Sequence, residues 1–165
     1  MKHRSVLADQ EQQLIHDLYP SLRRFAAVVG PMEVEPDDLV QEAFFRAMRR
    51  GTLTDLTYPT AYLKRCIVNL SKDHIRSFVR RRRALVALAA TSEAFTEAYP
   101  SDVIELMDLP PQTRAVLYLR EIEGRTFGEI GDIAGCSEKA ARNSASRGRK
   151  RLRKILSEEE RNATT

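Results

Sequence analysis

Tryptophan is absent from this 165-residue sequence, and cysteine is confined to Cys66 and Cys136. The two cysteines lie far apart, and neither has a second Cys or a His at metal-ligand spacing, which argues against a zinc site or a disulfide framework. Both sit among apolar or small residues, where a buried reduced thiol is expected. The histidines His3, His16 and His74 are scattered. There is no Gly-x-Gly repeat, no carboxylate cluster beside a phosphate-binding loop, and no nucleophile with a base nearby. The reading is therefore a non-enzyme with no catalytic residues, no cofactor and no metal. Long apolar runs are missing too: no 18-residue stretch could span a membrane. Met1 to Gln13 is polar and unlike a signal peptide, so cytoplasmic residence is expected. With 7 Gly and 7 Pro, low-complexity character is slight.

What is present is apolar matter at helical spacing. Hydrophobic residues make up 42% and charged residues 30%, with a net charge of +4 that tilts mildly toward a polyanionic partner. A first helix is expected from about Asp9 to Val29, with Leu14, Leu18, Leu22, Phe25 and Val29 on one stripe. Glu35-Pro36-Asp37-Asp38 opens a second helix, since proline and acids suit a first turn. Leu39, Val40, Ala43, Phe44, Ala47 and Met48 form its apolar face, and it stops near Gly51. After a loop, Thr52 to Pro59, a third helix is expected from about Thr60 to Val79. Leu63, Ile67, Leu70, Ile75 and Phe78 would face inward, before a run from Arg80 to Arg83. Ala84 to Ser101 is rich in small residues and reads as a linker with a weak helical start over Ala84–Ala90.

A second unit follows. A short helix is expected over Val103 to Leu109, then one from Gln112 to about Glu121 carrying Val116 and Leu119, with Ile122 near its end and Gly124 as its cap. Thr126, with Glu129 three residues on, makes a capping box for a helix burying Phe127, Ile130, Ile133 and Ala134. Gly135 turns the chain and Ser137 caps a last helix through Leu156. This pair has the form of a helix-turn-helix, whose second helix enters the major groove. From Ser137 to Lys154 it has eight basic residues against the single acid Glu138. Ala141, Ala145, Gly148, Leu152 and Ile155 can face the core, leaving the charges on other faces. A solvated helix would intersperse both signs.

Two further features carry information. Lys64, Arg65, Lys72, Arg76 and Arg80 to Arg83 lie near Tyr58, Tyr62 and Phe78, a pairing that suits phosphates and unpaired bases. Packing of Tyr62 and Phe78 into the core explains the aromatics equally well. In the second helix Asp38, Gln41, Glu42, Arg46 and Arg49 form a polar stripe, which by itself names no partner.

The run Asp-Leu-Val-Gln-Glu-x-Phe-x-Arg-Ala from Asp38 resembles the core-polymerase-binding helix of sigma-70-type factors, in particular the extracytoplasmic-function (ECF) group. Tyr62 to Arg76 is similar to the segment that handles the −10 promoter element. Leu109 to Leu117 and Glu121 to Ile130 resemble the −35-reading domain, so the resemblance covers about residues 12 to 156. It implies an all-α fold of two small helical domains, 1–83 and 102–165, joined by a linker over 84–101. The C-terminal domain contains the helix-turn-helix.

The implied function is to bind core RNA polymerase and direct promoter recognition, DNA melting and initiation. Asp38, Gln41, Glu42, Phe45, Arg46 and Arg49 would meet polymerase, at the β′ clamp helices, with the β subunit also contacted by the factor. Thr54, Asp55, Tyr58, Tyr62, Lys64, Arg65, Asn69, Lys72, Arg76 and Arg80 would handle the −10 element, the loop Thr52–Tyr58 taking a flipped-out base. Arg125, Thr126, Ser137, Glu138, Lys139, Arg142, Asn143, Ser146, Arg147, Arg149 and Lys150 would serve the −35 element. The linker would thread toward the active-site and RNA-exit channels. An anti-sigma protein is a possible partner, and no membrane segment is implied.

The sequence departs from the family at Ala141-Arg142-Asn143-Ser144-Ala145, where relatives usually read Val-Lys-Ser-Arg-Leu. Two larger core residues have become Ala and a basic residue has become Ser144, which puts the usual −35 contacts and the packing there in question. Tyr62 stands where relatives often have Trp, and the loop Thr52–Pro59 lacks the charged, Gly-containing sequence common among them. A free-standing helix-turn-helix regulator is the alternative reading, against which the Asp38–Met48 motif argues.

Overall fold

The computed structural model describes residues 2–88 and 109–163, which among them hold helices and no strand. The first unit has three helices: α1 (Lys2–Val29), α2 (Pro36–Met48) and α3 (Pro59–Leu88), with a 3-10 turn at Leu53–Asp55 before α3. The second has α4 (Pro111–Leu117), continued as a π-helical turn over Tyr118–Ile122, then α5 (Phe127–Ala134) and α6 (Glu138–Ala163).

The apolar stripes meet as the periodicity requires. Leu22, Phe25 and Val29 of α1 pack with Leu39, Val40, Ala43, Phe44 and Ala47 of α2 and Leu63, Ile67 and Leu70 of α3. Met48 and Phe78, expected on inward faces, are instead 48% and 45% exposed: Met48 is the last residue of α2, and Phe78 lines an open cleft with Pro31, Met32 and Val34. Ile75 is half-buried. Tyr19 donates to Asp37 Oδ1 at 2.6 Å and Arg23 Nε to the same oxygen at 2.9 Å, which pins the first turn of α2 to α1. Both bonds favour the ionised carboxylate and hold the Asp37 pKa below its ordinary value, the Tyr19 bond most of all.

α1 begins earlier than expected and runs through Pro20. α3 does not stop at Val79; it continues through the four arginines to Leu88. Arginine and alanine are good helix formers, and no Gly or Pro interrupts the stretch. The stretch expected as a helix over Val103–Leu109 and most of the expected linker lie outside the described residues.

The helix-turn-helix forms on local signals. Thr126 Oγ1 accepts from Glu129 N at 3.3 Å while Glu129 Oε2 accepts from Thr126 N at 2.9 Å, the reciprocal capping box. Gly135 takes φ 69°, the left-handed conformation that favours glycine at a helix C-terminus. Ser137 Oγ then accepts from Ala140 N at 3.1 Å to start α6. Phe127 is half-buried rather than core, and Ile122 is 71% exposed. The small residues Ala141, Ala145 and Gly148 let α6 approach α4 closely. A Cβ on Gly148 would lie 2.8 Å from Leu117 Cδ1 and 3.0 Å from Thr113 Cγ2. Ala141 and Ala145, where the sequence departs from its relatives, are both fully buried.

The two units share one apolar core. Ala115, Val116 and Leu119 of α4 and its π turn join the cluster that holds Leu22, Phe25 and Val29. The Tyr118 ring stands edge-on to Phe25 with centroids 5.5 Å apart. Arg114, 1% exposed, donates from Nη1 to the Gly30 carbonyl at 3.0 Å. Burial pushes its pKa down to about 10, with Glu33 opposing.

Candidate nucleic-acid interface

The outward face of α2 presents Asp38, Gln41, Phe45, Arg46 and Arg49 to solvent, with Glu42 half-buried. All six residues expected to meet polymerase thus share one face. Arg46 Nε donates to Glu42 at 2.8 Å, and the Arg49 guanidinium lies 5.7 Å from the Phe45 ring centroid. Phe45 is 56% exposed, an apolar side chain turned to solvent rather than to the core.

Between the end of α2 and α3 lies an open cleft of about 390 Å³, lined by Arg46, Arg49, Arg50, Tyr62, Arg65, Cys66 and Asn69. Four guanidiniums around a tyrosine make an anion-attracting groove with a ring to stack on. Arg50 donates to the Tyr62 hydroxyl at 3.4 Å. Burial pushes the Cys66 thiol pKa up, against the lowering influence of Tyr62 and the arginines. Ahead of α3 in the chain comes the 3-10 turn, where Thr52 donates to Asp55 at 2.6 Å and Thr54 to Thr52 at 3.1 Å. Tyr58, 76% exposed, follows it.

The residues expected at the −10 element do not form one surface. Tyr62, Arg65 and Asn69 line the cleft; Thr54 and Asp55 lie in the 3-10 turn and Tyr58 follows it; Arg76 and Arg80 are exposed farther along α3. Lys64 is different. It is 2% exposed and paired with Glu123 of the second unit, its Nζ 5.5 Å from the Phe25 centroid. In this arrangement Lys64 cannot touch DNA, because the second unit covers it. Burial lowers its pKa, and the Glu123 bond only partly offsets that. Lys72 is half-buried, its pKa likewise lowered by burial. Arg65, exposed, reaches the Asp132 carbonyl at 3.4 Å.

On α6, Glu138, Lys139, Arg142, Asn143, Ser146, Arg147, Arg149 and Lys150 are exposed. Thr126 and Ser137 spend their hydroxyls on helix caps, and Arg149 donates to Glu121 at 3.0 Å. Arg125 is half-buried and bonds Glu129 at 3.2 Å. Arg142 pairs with Glu138, one turn earlier on the helix.

Four residues of these surfaces were not anticipated from sequence: Arg50 in the cleft, Glu123 against Lys64, and the pair Arg120 and Phe127. The guanidinium carbons of Arg120 and Arg142 each lie 4.8 Å from the Phe127 centroid. Arg120 also donates to the Arg125 carbonyl at 2.9 Å. Arg50 continues the basic run Arg46, Arg49, a usable signal. Nothing local marks the other three.

Among the described residues no group of His, Cys, Asp and Glu could hold a metal ion, and no helix is long and apolar enough to cross a membrane.

Comparison with known proteins matches the two units separately. Residues 14–83 match the family model described as Sigma-70 region 2, and residues 105–152 match Sigma-70, region 4. The chain is 27% identical over 162 residues to the RNA polymerase sigma factor CarQ of Myxococcus xanthus, covering 91% of this chain and 93% of that protein. It is 29% identical over 160 residues to the ECF RNA polymerase sigma factor EcfG of Rhodopseudomonas palustris, covering 91% of this chain and 87% of that one. Among solved structures it is similar to the sigma factor RpoE of Bartonella quintana, crystallised with the anti-sigma factor NepR. That likeness has a TM-score of 0.61 at 20% identity and covers 88% of this chain and 96% of the other.

Proposed function

This chain belongs to the sigma-70 factors, in their extracytoplasmic-function group, and from that premise we propose how its surfaces divide the work of initiation. As a sigma factor it binds RNA polymerase and directs initiation at specific promoters. The observation that carries this is the succession of a region 2 match and a region 4 match along one chain.

In the proposed division, the exposed face of α2 docks on the β′ clamp helices through Asp38, Gln41, Glu42, Phe45, Arg46 and Arg49, with further contact to the β subunit. Mixed charge around one exposed aromatic suits an anchor in a partner's pocket. The α3 side of the cleft and the 3-10 turn take single-stranded −10 DNA, a base stacking at Tyr58 or Tyr62 while Arg50 and Arg65, the cleft guanidiniums left free by polymerase docking, hold phosphates. α6 lies in the major groove at −35, its exposed Lys139, Arg142, Asn143 and Arg147 nearest the base edges. The domains divide at 1–83 and 102–165. The protein acts without catalysis, in the cytoplasm. An anti-sigma protein is a proposed further partner, a reading supported by the structural neighbour's having been solved with one.

The test is complex formation between the purified chain and core RNA polymerase from a matched host, beside the triple variant Asp38→Lys, Gln41→Ala, Glu42→Lys. Wild-type binding that the variant loses is expected. A folded wild type that leaves polymerase alone but binds an operator duplex tightly at physiological salt would make the chain a free-standing regulator instead.

A further inference from the structure

The two DNA-facing elements are not equally open. α6 shows its cations to solvent, whereas α3 turns Lys64 into the seam between the units. There Lys64 is 2% exposed and its partner Glu123 19% exposed at the side chain, placed just past the π turn that also carries Tyr118 against Phe25. The contacts Arg114 to Gly30 and Arg65 to Asp132 close the same seam.

Most of this seam is apolar, with Ala115, Val116 and Leu119 packed in one cluster with Leu22, Phe25 and Val29, and the ion pair is the odd part of it. Burying a cation and its carboxylate costs desolvation that their attraction barely returns, so the pair adds little to holding the units together. A seam meant to part gains from such a pair, since water or another anion relieves the penalty on opening. To an ammonium group, a carboxylate and a phosphodiester offer the same thing: anionic oxygens at hydrogen-bond distance.

We propose that Glu123 is an internal competitor for DNA at Lys64. In the closed chain the carboxylate occupies the place of a backbone phosphate, and opening the two units exchanges one anion for the other at a single nitrogen. The inference rests on the proposed role of α3 in holding single-stranded DNA. It also accounts for an asymmetric closed state, with the −35 helix exposed and part of the −10 helix withheld.

The full chain tests it, with short fluorescein-labelled single-stranded DNA of mixed sequence as the probe, since phosphate contacts do not depend on sequence. Anisotropy gives the affinity and small-angle scattering the radius of gyration. Glu123→Gln and Lys64→Gln both break the pair, so both should enlarge the chain. Glu123→Gln frees Lys64 and also releases Arg125, whose Nε lies 3.5 Å from the other Glu123 oxygen. It should tighten DNA binding about ten-fold, the worth of one charge-assisted contact. Adding Lys64→Gln should cancel that gain, whereas a gain that persists would belong to Arg125 and overturn the proposal. Lys64→Gln should bring no gain.

Tyr118→Ala, which removes the ring packed on Phe25 and keeps the backbone carbonyl that accepts from Glu123 N at 3.3 Å, should behave like Glu123→Gln, and adding Lys64→Gln to it should cancel the gain. That second comparison stands if Glu123→Gln fails to fold. Equal gains for Glu123→Gln and Lys64→Gln, or an enlarged Glu123→Gln or Tyr118→Ala chain that binds no better, would overturn the proposal. So would variants that stay compact with unchanged affinity. Loss of the sigma reading itself would appear elsewhere, in wild-type failure to bind core polymerase.

Discussion

Replacing Gly131 with alanine should damage the helix-turn-helix, while the same change at Gly128 in the same helix should not. Gly131 is buried where α5 meets the turn, and a Cβ built there lies 2.6 Å from the Cys136 carbonyl oxygen, 3.3 Å from Glu138 N and 3.4 Å from Ser137 C. All three are backbone atoms, so no side chain can swing aside. The Gly131 carbonyl also accepts from Cys136 N at 2.9 Å, tying the turn to this residue.

Overpacking of this kind costs about 1–3 kcal/mol, and the better helix propensity of alanine returns up to ~1 kcal/mol. With the full propensity return the net loss is about 0–2 kcal/mol, which for a chain of this length lowers Tm by up to roughly 8 °C. At Gly128 nothing lies within 4 Å of the added Cβ, so only the propensity gain remains and Tm should hold or rise. Thermal unfolding followed by circular dichroism decides the sign. Promoter-dependent transcription with core polymerase should fall for Gly131→Ala, since spreading the turn re-aims α6. A Gly131→Ala protein as stable as Gly128→Ala would refute the packing argument.

Two other perturbations follow from the same unit. Phe127→Ala removes the ring that both Arg120 and Arg142 approach; a double-mutant cycle in urea with Arg142→Ala should give a coupling of about 0.5–1 kcal/mol, and zero coupling would show that the ring does not hold Arg142. Glu129 has its pKa lowered, first by the Thr126 backbone bond, then by the Thr126 side chain and by Arg125. A carboxyl depressed in the folded state contributes stability above its ordinary pKa, and that contribution disappears as pH falls through the folded value. Acid should therefore melt wild type more readily relative to neutral pH than it melts Glu129→Gln, and parallel pH–stability curves would contradict the capping box.

Much of this architecture is legible from local pattern. The Leu14–Val29 stripe, the Pro36-Asp37-Asp38 start and the box Thr126…Glu129 followed by Gly135 are signals that operate within one or two turns. They depend on backbone hydrogen bonds and on side chains three or four residues apart, so neighbours in sequence suffice to decide them. The motif at Asp38 went further and named a partner class, through resemblance rather than physics.

What one helix presents to a distant one is another matter. On α3, Leu63, Ile67 and Leu70 announce a core face, but Lys64, Val68 and Ser71, also buried and at helical spacing, do not, because two of the three are polar. Lys64 sits in a run of cations and reads as a DNA contact until Glu123, 59 residues away, covers it. Likewise Ala141 and Ala145 read as losses of packing until the approach of α6 to α4 makes them a fit. The sequence by itself determined the helices, their caps and the two-unit order, since these follow from short-range bonding and periodicity. Only the tertiary structure decided which cations stay exposed and which are spent between the units, since burial is a property of surfaces brought together across long stretches of chain.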